Sequence, residues 1–183
     1  THITTFAKSL VALNYEIITT GGTAKTLQKA KIPFTPIQEI TGNPEAFDGR
    51  MKTISFQIES GLLYDRKKAD HRKQAKDLKI PNIEIVVCNL YPFAETLKNP
   101  KSKDADIIEN IDVGGPTMIR AAAKNFAHVL VVTDIADYPQ IISALKSKKI
   151  TPEFRRKLAA KAFAHLTTYD AQVANYLNQD PFP

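Results

Sequence analysis

Hydrophobic positions recur along the chain with two periods, and the change from one to the other marks out its elements. Ile3, Phe6, Ala7, Leu10 and Val11 fall three and four residues apart. That spacing predicts an amphipathic helix over 3–13. Tyr15–Thr19 is a short β-prone run, Thr20-Gly21-Gly22-Thr23 breaks it, and Ala24–Ala30 reads as a second helix. Phe34–Ile37, with prolines at 33 and 36, reads as an extended segment near a sheet edge, and Thr41-Gly42-Asn43-Pro44 is turn chemistry. Arg66–Leu78 is polar and predicts a basic surface helix. Ile83–Cys88 and Val129–Thr133 are continuous apolar runs rich in β-branched residues, as buried parallel strands are. A helix is expected near Tyr138–Leu145, and a long closing one over Pro152–Leu177 with a candidate break at Thr167-Thr168. Strands alternating with helices over short connections predict an α/β sandwich around a mostly parallel sheet.

Bulk properties narrow the class. With 183 residues, 43% apolar and 24% charged, the chain is one globular domain over 1–183. No apolar run approaches the roughly 20 residues that span a bilayer, and nothing resembles a signal peptide. The lone Cys88 sits in an apolar strand, where a buried, inert thiol is expected and a reducing cytoplasm is permitted. The net charge of +6 collects in two patches, Tyr64–Lys79 and Leu145–Lys161, each with seven Lys or Arg. Neither carries interleaved aromatics, so solvated helix faces are the reading, with no nucleic acid and no membrane as partner. The four histidines stand far apart, without metal-ligand spacing. No G-x-S-x-G elbow and no G-x-x-x-x-G-K-[ST] loop is present.

The chemistry gathers in four stretches. Ile111–Asn125 reads I-D-V-G-G-P-T-M-I-R-A-A-A-K-N, a carboxylate ahead of a glycine turn and a helix start. The T-T-G-G-T-A-K string at 19–25 lies between a strand and a helix, an arrangement that aims backbone N–H groups at an anion. The others are F-D-G-R-M-K-T at Phe47–Thr53 and N-L-Y-P-F at Asn89–Phe93. Together these closely resemble the inosinate (IMP) cyclohydrolase domain, the amino-terminal half of a bifunctional purine-biosynthesis enzyme whose other half is a transformylase. The resemblance runs from Thr1 to about Leu177. It departs after Thr53, where the family continues L-H-P-x-[VI]-H-x-G and this chain has Ile54–Gly61 without either histidine or the proline.

The resemblance implies a methylglyoxal-synthase-like three-layer fold and ring closure of formamido-imidazole-carboxamide ribotide (FAICAR) to IMP with loss of water. It implies that Thr20, Gly21, Gly22 and Thr23 hold the phosphate. Arg50, Met51, Lys52 and Thr53 complete the nucleotide site, and Asn89, Leu90 and Val113 line the base. Lys52 is the candidate for oxyanion stabilisation, Tyr91 for positioning or proton transfer, and Lys124, tuned by Asp112, for proton exchange. No metal or organic cofactor is expected for this step; 10-formyltetrahydrofolate would serve only the transformylase half. A homodimer in the cytoplasm is expected. Family members also begin with a central strand ending S-x-[DN]-K, expected directly before Thr1. If 116–124 is one straight helix, its ends stand roughly 12 Å apart, and Lys124 meets Asp112 only by reaching back or through a break. The alternative reading is a non-catalytic, phosphometabolite-binding regulatory module of the same fold, like that of carbamoyl-phosphate synthetase. Methylglyoxal synthase itself is a poor match, its aspartate-rich motif not being evident.

Overall fold

The structure, a computed structural model, describes residues 2–90, 93–99 and 101–178. Its first unit is α1 (His2–Ala12), β1 (Ile18–Thr19), α2 (Gly21–Lys29) and β2 (Thr35–Pro36), followed by the short α3 (Ile37–Thr41). Next come α4 (Phe56–Leu63), α5 (Ala69–Asp77), β3 (Ile85–Val87), α6 (Phe93–Lys98) and α7 (Asp104–Glu109). The last unit is α8 (Gly114–Lys124), β4 (Leu130–Val132), α9 (Tyr138–Lys146) and α10 (Pro152–Leu177).

Among the described strands all pairing is parallel. β1 pairs with β2 in the register Ile18 to Thr35, and β3 with β4 in the register Ile85 to Leu130. The two pairs are separate sheets: among the described residues β1 and β3 share no ladder. The α/β class is as expected, but the one expected sheet is divided in two. A cavity touched by Thr19 of β1 and Val87 of β3 lies between the pairs.

The main core gathers on β4 and α8. Val129, Leu130, Val131 and Val132 are all at most 1% exposed, which explains why this strand reads as an unbroken apolar run rather than an alternating one. Ala121, Ala122 and Ala123 of α8 are buried, and α10 packs on the same helix. The α10 face that meets this core carries Leu158, Ala159, Ala162 and Leu166, at helical spacing. Small side chains on both helices allow the close approach. Each fully buried Leu or Ile here contributes roughly 1.5–3 kcal/mol.

One sequence expectation is corrected here, and one segment whose pattern predicts no element forms a helix. α10 runs unbroken through Thr167 and Thr168, whose hydroxyls donate to the carbonyls of Phe163 and Ala164 one turn back, at 3.0 and 3.2 Å. Their side chains are thus satisfied within the helix and do not compete with its ladder. The residues after Thr53 form α4, begun by the Ser55 hydroxyl accepting from the Ile58 N–H at 3.2 Å. Ile58 and Leu62 then bury one face of α4 in the main core.

Candidate functional site

The carboxyl ends of β1 and β3 and the start of α9 open on one cavity of about 360 Å³, lined by Thr19, Thr23, Val87, Asn89, Ile135 and Tyr138, with His2 and Ile3 at its edge. Its size falls within the usual range for small-ligand sites, and its position at strand ends is where open α/β sheets bind ligands. The chain leaves β1 at Thr20, which is extended (φ −146°, ψ 174°) and makes no side-chain capping bond. α2 starts at once with Gly21, three residues earlier than the sequence pattern suggests. The Ala24 N–H bonds back to the Thr20 carbonyl at 3.3 Å, so the N–H groups of Gly21, Gly22 and Thr23 have no helical acceptor. Gly21 stands at φ 57°, and a Cβ on either glycine would meet nothing within 4 Å. A bulky anion can approach this backbone directly.

A second group meets at the start of α8. Asp112 Oδ1 accepts from the Gly115 N–H at 2.9 Å, and the Asp112 N–H donates to the Tyr169 hydroxyl at 2.6 Å. One bond pins the carboxylate to the helix start; the other ties its backbone to α10. The contacts are tight. A Cβ on Gly115 would lie 2.5 Å from Asp112 Oδ2 and 2.9 Å from Leu90 Cδ2, and one on Gly114 would lie 2.5 Å from Thr53 Oγ1. Leu90 and Thr53 are therefore held against the mouth of α8. Asn89 reaches the other group, lining the cavity and hydrogen-bonding Tyr138. Burial, with a smaller contribution from the Asp112 charge, pushes the Cys88 thiol up to about 12. A thiol so raised is little ionised near neutral pH, in keeping with its strand position.

The loop before Thr53 is a tight turn closed by the pairing of Ala46 with Met51. Phe47, Asp48 and Gly49 all have positive φ (55°, 53° and 91°). A Cβ on Gly49 would lie 2.3 Å from Lys52 Cε, so the absence of a side chain there lets Lys52 cross the turn. Lys52 Nζ stands 3.1 Å from Glu45 Oε1, and Arg50 forms a double contact with Glu109, the shorter at 2.5 Å. The hydrogen bond raises the Arg50 guanidinium above its usual value and holds Glu109 below its own. Exposed pairs of this kind are screened by solvent and hold only weakly, so a phosphate can displace either carboxylate at small cost. Met51 and Val113 are 41% and 60% exposed at the same rim.

Not every expected residue joins this assembly. α8 is continuous from Gly114 to Lys124, which carries Lys124 about 15 Å along the helix from its start. Asp112 and Lys124 stand at opposite ends of α8, so the expected tuning of one by the other is not met within the chain. Lys124 is exposed and lines a different groove, against α10. Tyr91 lies outside the described residues. Conversely, Glu45, Glu109, Tyr138 and Tyr169 were not anticipated; the last three reach the site only through tertiary contacts that leave no local pattern. Among the described residues no group of three or more His, Cys, Asp or Glu is placed to hold a metal ion, and no helix is long and apolar enough to cross a membrane.

Comparison with known proteins gives the family. Residues 2–117 match the MGS-like domain, and residues 122–183 match the AICARFT/IMPCHase bienzyme family. The chain belongs to the MGS-like domain family. It is 50% identical over 181 residues to the bifunctional purine biosynthesis protein PurH of Lactiplantibacillus plantarum, covering 99% of this chain and 36% of that protein. It is 49% identical to the protein of the same name from Oceanobacillus iheyensis, over 96% of this chain and 34% of the relative. The chain thus spans about a third of the length of these curated relatives. The crystal structure of ForH superposes with a TM-score of 0.85 at 32% identity, covering 97% of this chain and 93% of that one. The MGS-like α/β fold inferred from the sequence is the fold observed.

Proposed function

We propose that this domain closes FAICAR to IMP with loss of water. The observation that carries the reading is the link between the open start of α2, on the cavity at the ends of β1 and β3, and the Asp112–Gly115 start of α8. Asn89 and Leu90, consecutive in sequence, link the two groups. Thr20, Gly21, Gly22 and Thr23 bind the phosphate through backbone N–H and hydroxyl donors. Arg50, Met51, Lys52 and Thr53 complete the nucleotide site, and Asn89, Leu90 and Val113 line the base. The carboxamide nitrogen attacks the formyl carbon within one bound molecule, so holding the near-attack geometry is a large part of the catalysis. Lys52 stabilises the oxyanion that develops on the formyl oxygen, and Asp112, fixed from two sides, orients the reacting end. By the resemblance Tyr91 takes part in proton transfer. Lys124, to which the resemblance would also give proton exchange, stands at the far end of α8 and is given no role at the reacting centre.

The names of the relatives support a role in purine biosynthesis. With that role we propose a cytoplasmic homodimer and, in the intact protein, a transformylase half using 10-formyltetrahydrofolate. Phe47, Phe56 and Val113, exposed by 76%, 63% and 60%, are apolar surface that a partner subunit would cover. The remote position of Lys124 favours one second reading, a regulatory module that binds the nucleotide without converting it. Calorimetric titration of IMP into wild type and Thr23→Ala, with inosinate formation from FAICAR followed by ultraviolet absorbance, separates the two. Saturable binding with turnover supports the cyclohydrolase. Binding without turnover selects the module, and failure to bind IMP at all removes both.

A further inference from the structure

A second cavity, of about 500 Å³, lies between α8 and α10, away from the cleft at the strand ends. Ala123, Ala159 and Ala160 lie along it, and their small side chains leave the space open. Phe126 and Phe163 supply aromatic surface, and Phe163 is 45% exposed. Three cations, Arg120, Lys124 and Arg156, also line the groove. The Arg156 guanidinium lies 5.0 Å from the centre of the Phe126 ring, forming a flat cationic platform. Asp170 pairs with Arg120, and Glu153, hydrogen-bonded by Thr151 at the start of α10, also feels the Arg156 charge, so these two cations are partly balanced. Lys124 forms no ion pair among the described residues and leaves the rim positive.

We propose that this groove is a second ligand site, for a planar aromatic anion of about mononucleotide size. The chemistry follows from the lining: faces for stacking, and a positive rim for phosphate or carboxylate substituents. A second copy of the chain is a poor occupant, because a two-fold contact sets a patch against itself and would face the three cations with their own copies. A docked helix is also disfavoured. From Arg156 to Phe163 the groove runs only about 10 Å along α10, and α8 ends at Lys124, which leaves little length for the successive anchors of a helix-in-groove contact. The basic patch over Leu145–Lys161 thus has one end that is a site rather than a solvated face.

The test is fluorescence titration of the whole domain with anilinonaphthalene sulfonate, an aromatic anion with a flat naphthalene system, in the presence of saturating IMP to occupy the cleft. Saturation near one equivalent is expected. Phe163→Asp and Arg156→Glu should each weaken binding by about tenfold or more, corresponding to roughly 1.4 kcal/mol. Phe163→Tyr and Arg156→Lys should retain it within about threefold, with circular dichroism showing each variant folded. IMP titrations should be unchanged in all four, which keeps this site distinguishable from the nucleotide cleft. Displacement of the dye by IMP, dye affinity unaltered in Phe163→Asp and Arg156→Glu, or a non-saturating titration would overturn the proposal.

Discussion

Replacing Gly115 by alanine separates the geometry of the site from the stability of the fold. A methyl group there would lie 2.5 Å from Asp112 Oδ2 and 2.9 Å from Leu90 Cδ2, both well inside ordinary contact distance. The carboxylate must move by about 1 Å, and the 2.9 Å bond from the Gly115 N–H to Asp112 Oδ1 is weakened or lost. Losing a bond at a helix start costs about 1 kcal/mol. The same substitution inside a helix gains roughly 0.8–1.0 kcal/mol from the lower entropy of the unfolded chain. The two nearly cancel, so the melting temperature should change by only a few degrees. Activity should not be spared, because a displacement of about 1 Å at a reacting centre costs on the order of 10²-fold. Differential scanning calorimetry and the inosinate assay on the same preparation read both quantities. Turnover within twofold of wild type, in a variant that melts normally, would show that Asp112 does not set the reacting geometry.

Other expectations follow from single contacts. Tyr169→Phe removes the hydroxyl that accepts from the Asp112 N–H at 2.6 Å and should lower stability by about 1–3 kcal/mol in urea unfolding; an unchanged midpoint would contradict this. Cys88, with its thiol pushed up to about 12, should react with iodoacetamide at pH 8 about 10³-fold more slowly than a free cysteine; a free-thiol rate would refute the burial. Glu59 Oε1 is buried without a partner, and burial raises its carboxyl above the usual range. A raised folded value means the proton is held more tightly in the native state. Its destabilisation is therefore absent below about pH 4.3, the unfolded value, and grows as pH rises through the folded one. Glu59→Gln should thus stabilise the protein slightly at pH 7, the effect being reduced by the solvent that reaches the rest of the side chain, and leave it unchanged near pH 3. Equal unfolding midpoints at both pH values would reject the assignment.

The sequence was most legible where local pattern and final structure express the same physics. The β-branched runs at Ile83–Cys88 and Val129–Thr133 became β3 and β4 because burial on both faces needs no alternation. The Gly21-Gly22 string opens α2 toward the cleft because a positive φ at Gly21 and an uncapped Thr20 are local properties. The residues after Thr53 were harder to read. Ser55 carries a helix-start signal, but a single serine ahead of a weakly amphipathic stretch is too common to mark the capped helix that forms. Contacts made across the fold were not legible at all. Arg50 meets Glu109 from 59 positions away, and Asp112 meets Tyr169 from 57. The separation of Lys124 from Asp112 lies between these cases: helical rise gave the distance, but only the unbroken α8 shows that nothing shortens it.

The most direct test of the account compares initial rates of inosinate formation from FAICAR for wild type, Lys52→Ala and Lys124→Ala under identical conditions. If the chemistry is set where α8 begins, Lys52→Ala should fall by about 10²–10³-fold, the loss typical of an oxyanion donor. Lys124→Ala, altered at the far end of the helix, should retain most of the wild-type rate. A wild-type rate in Lys52→Ala together with a collapse in Lys124→Ala would contradict the account and move the reacting centre away from the cleft between β1 and β3.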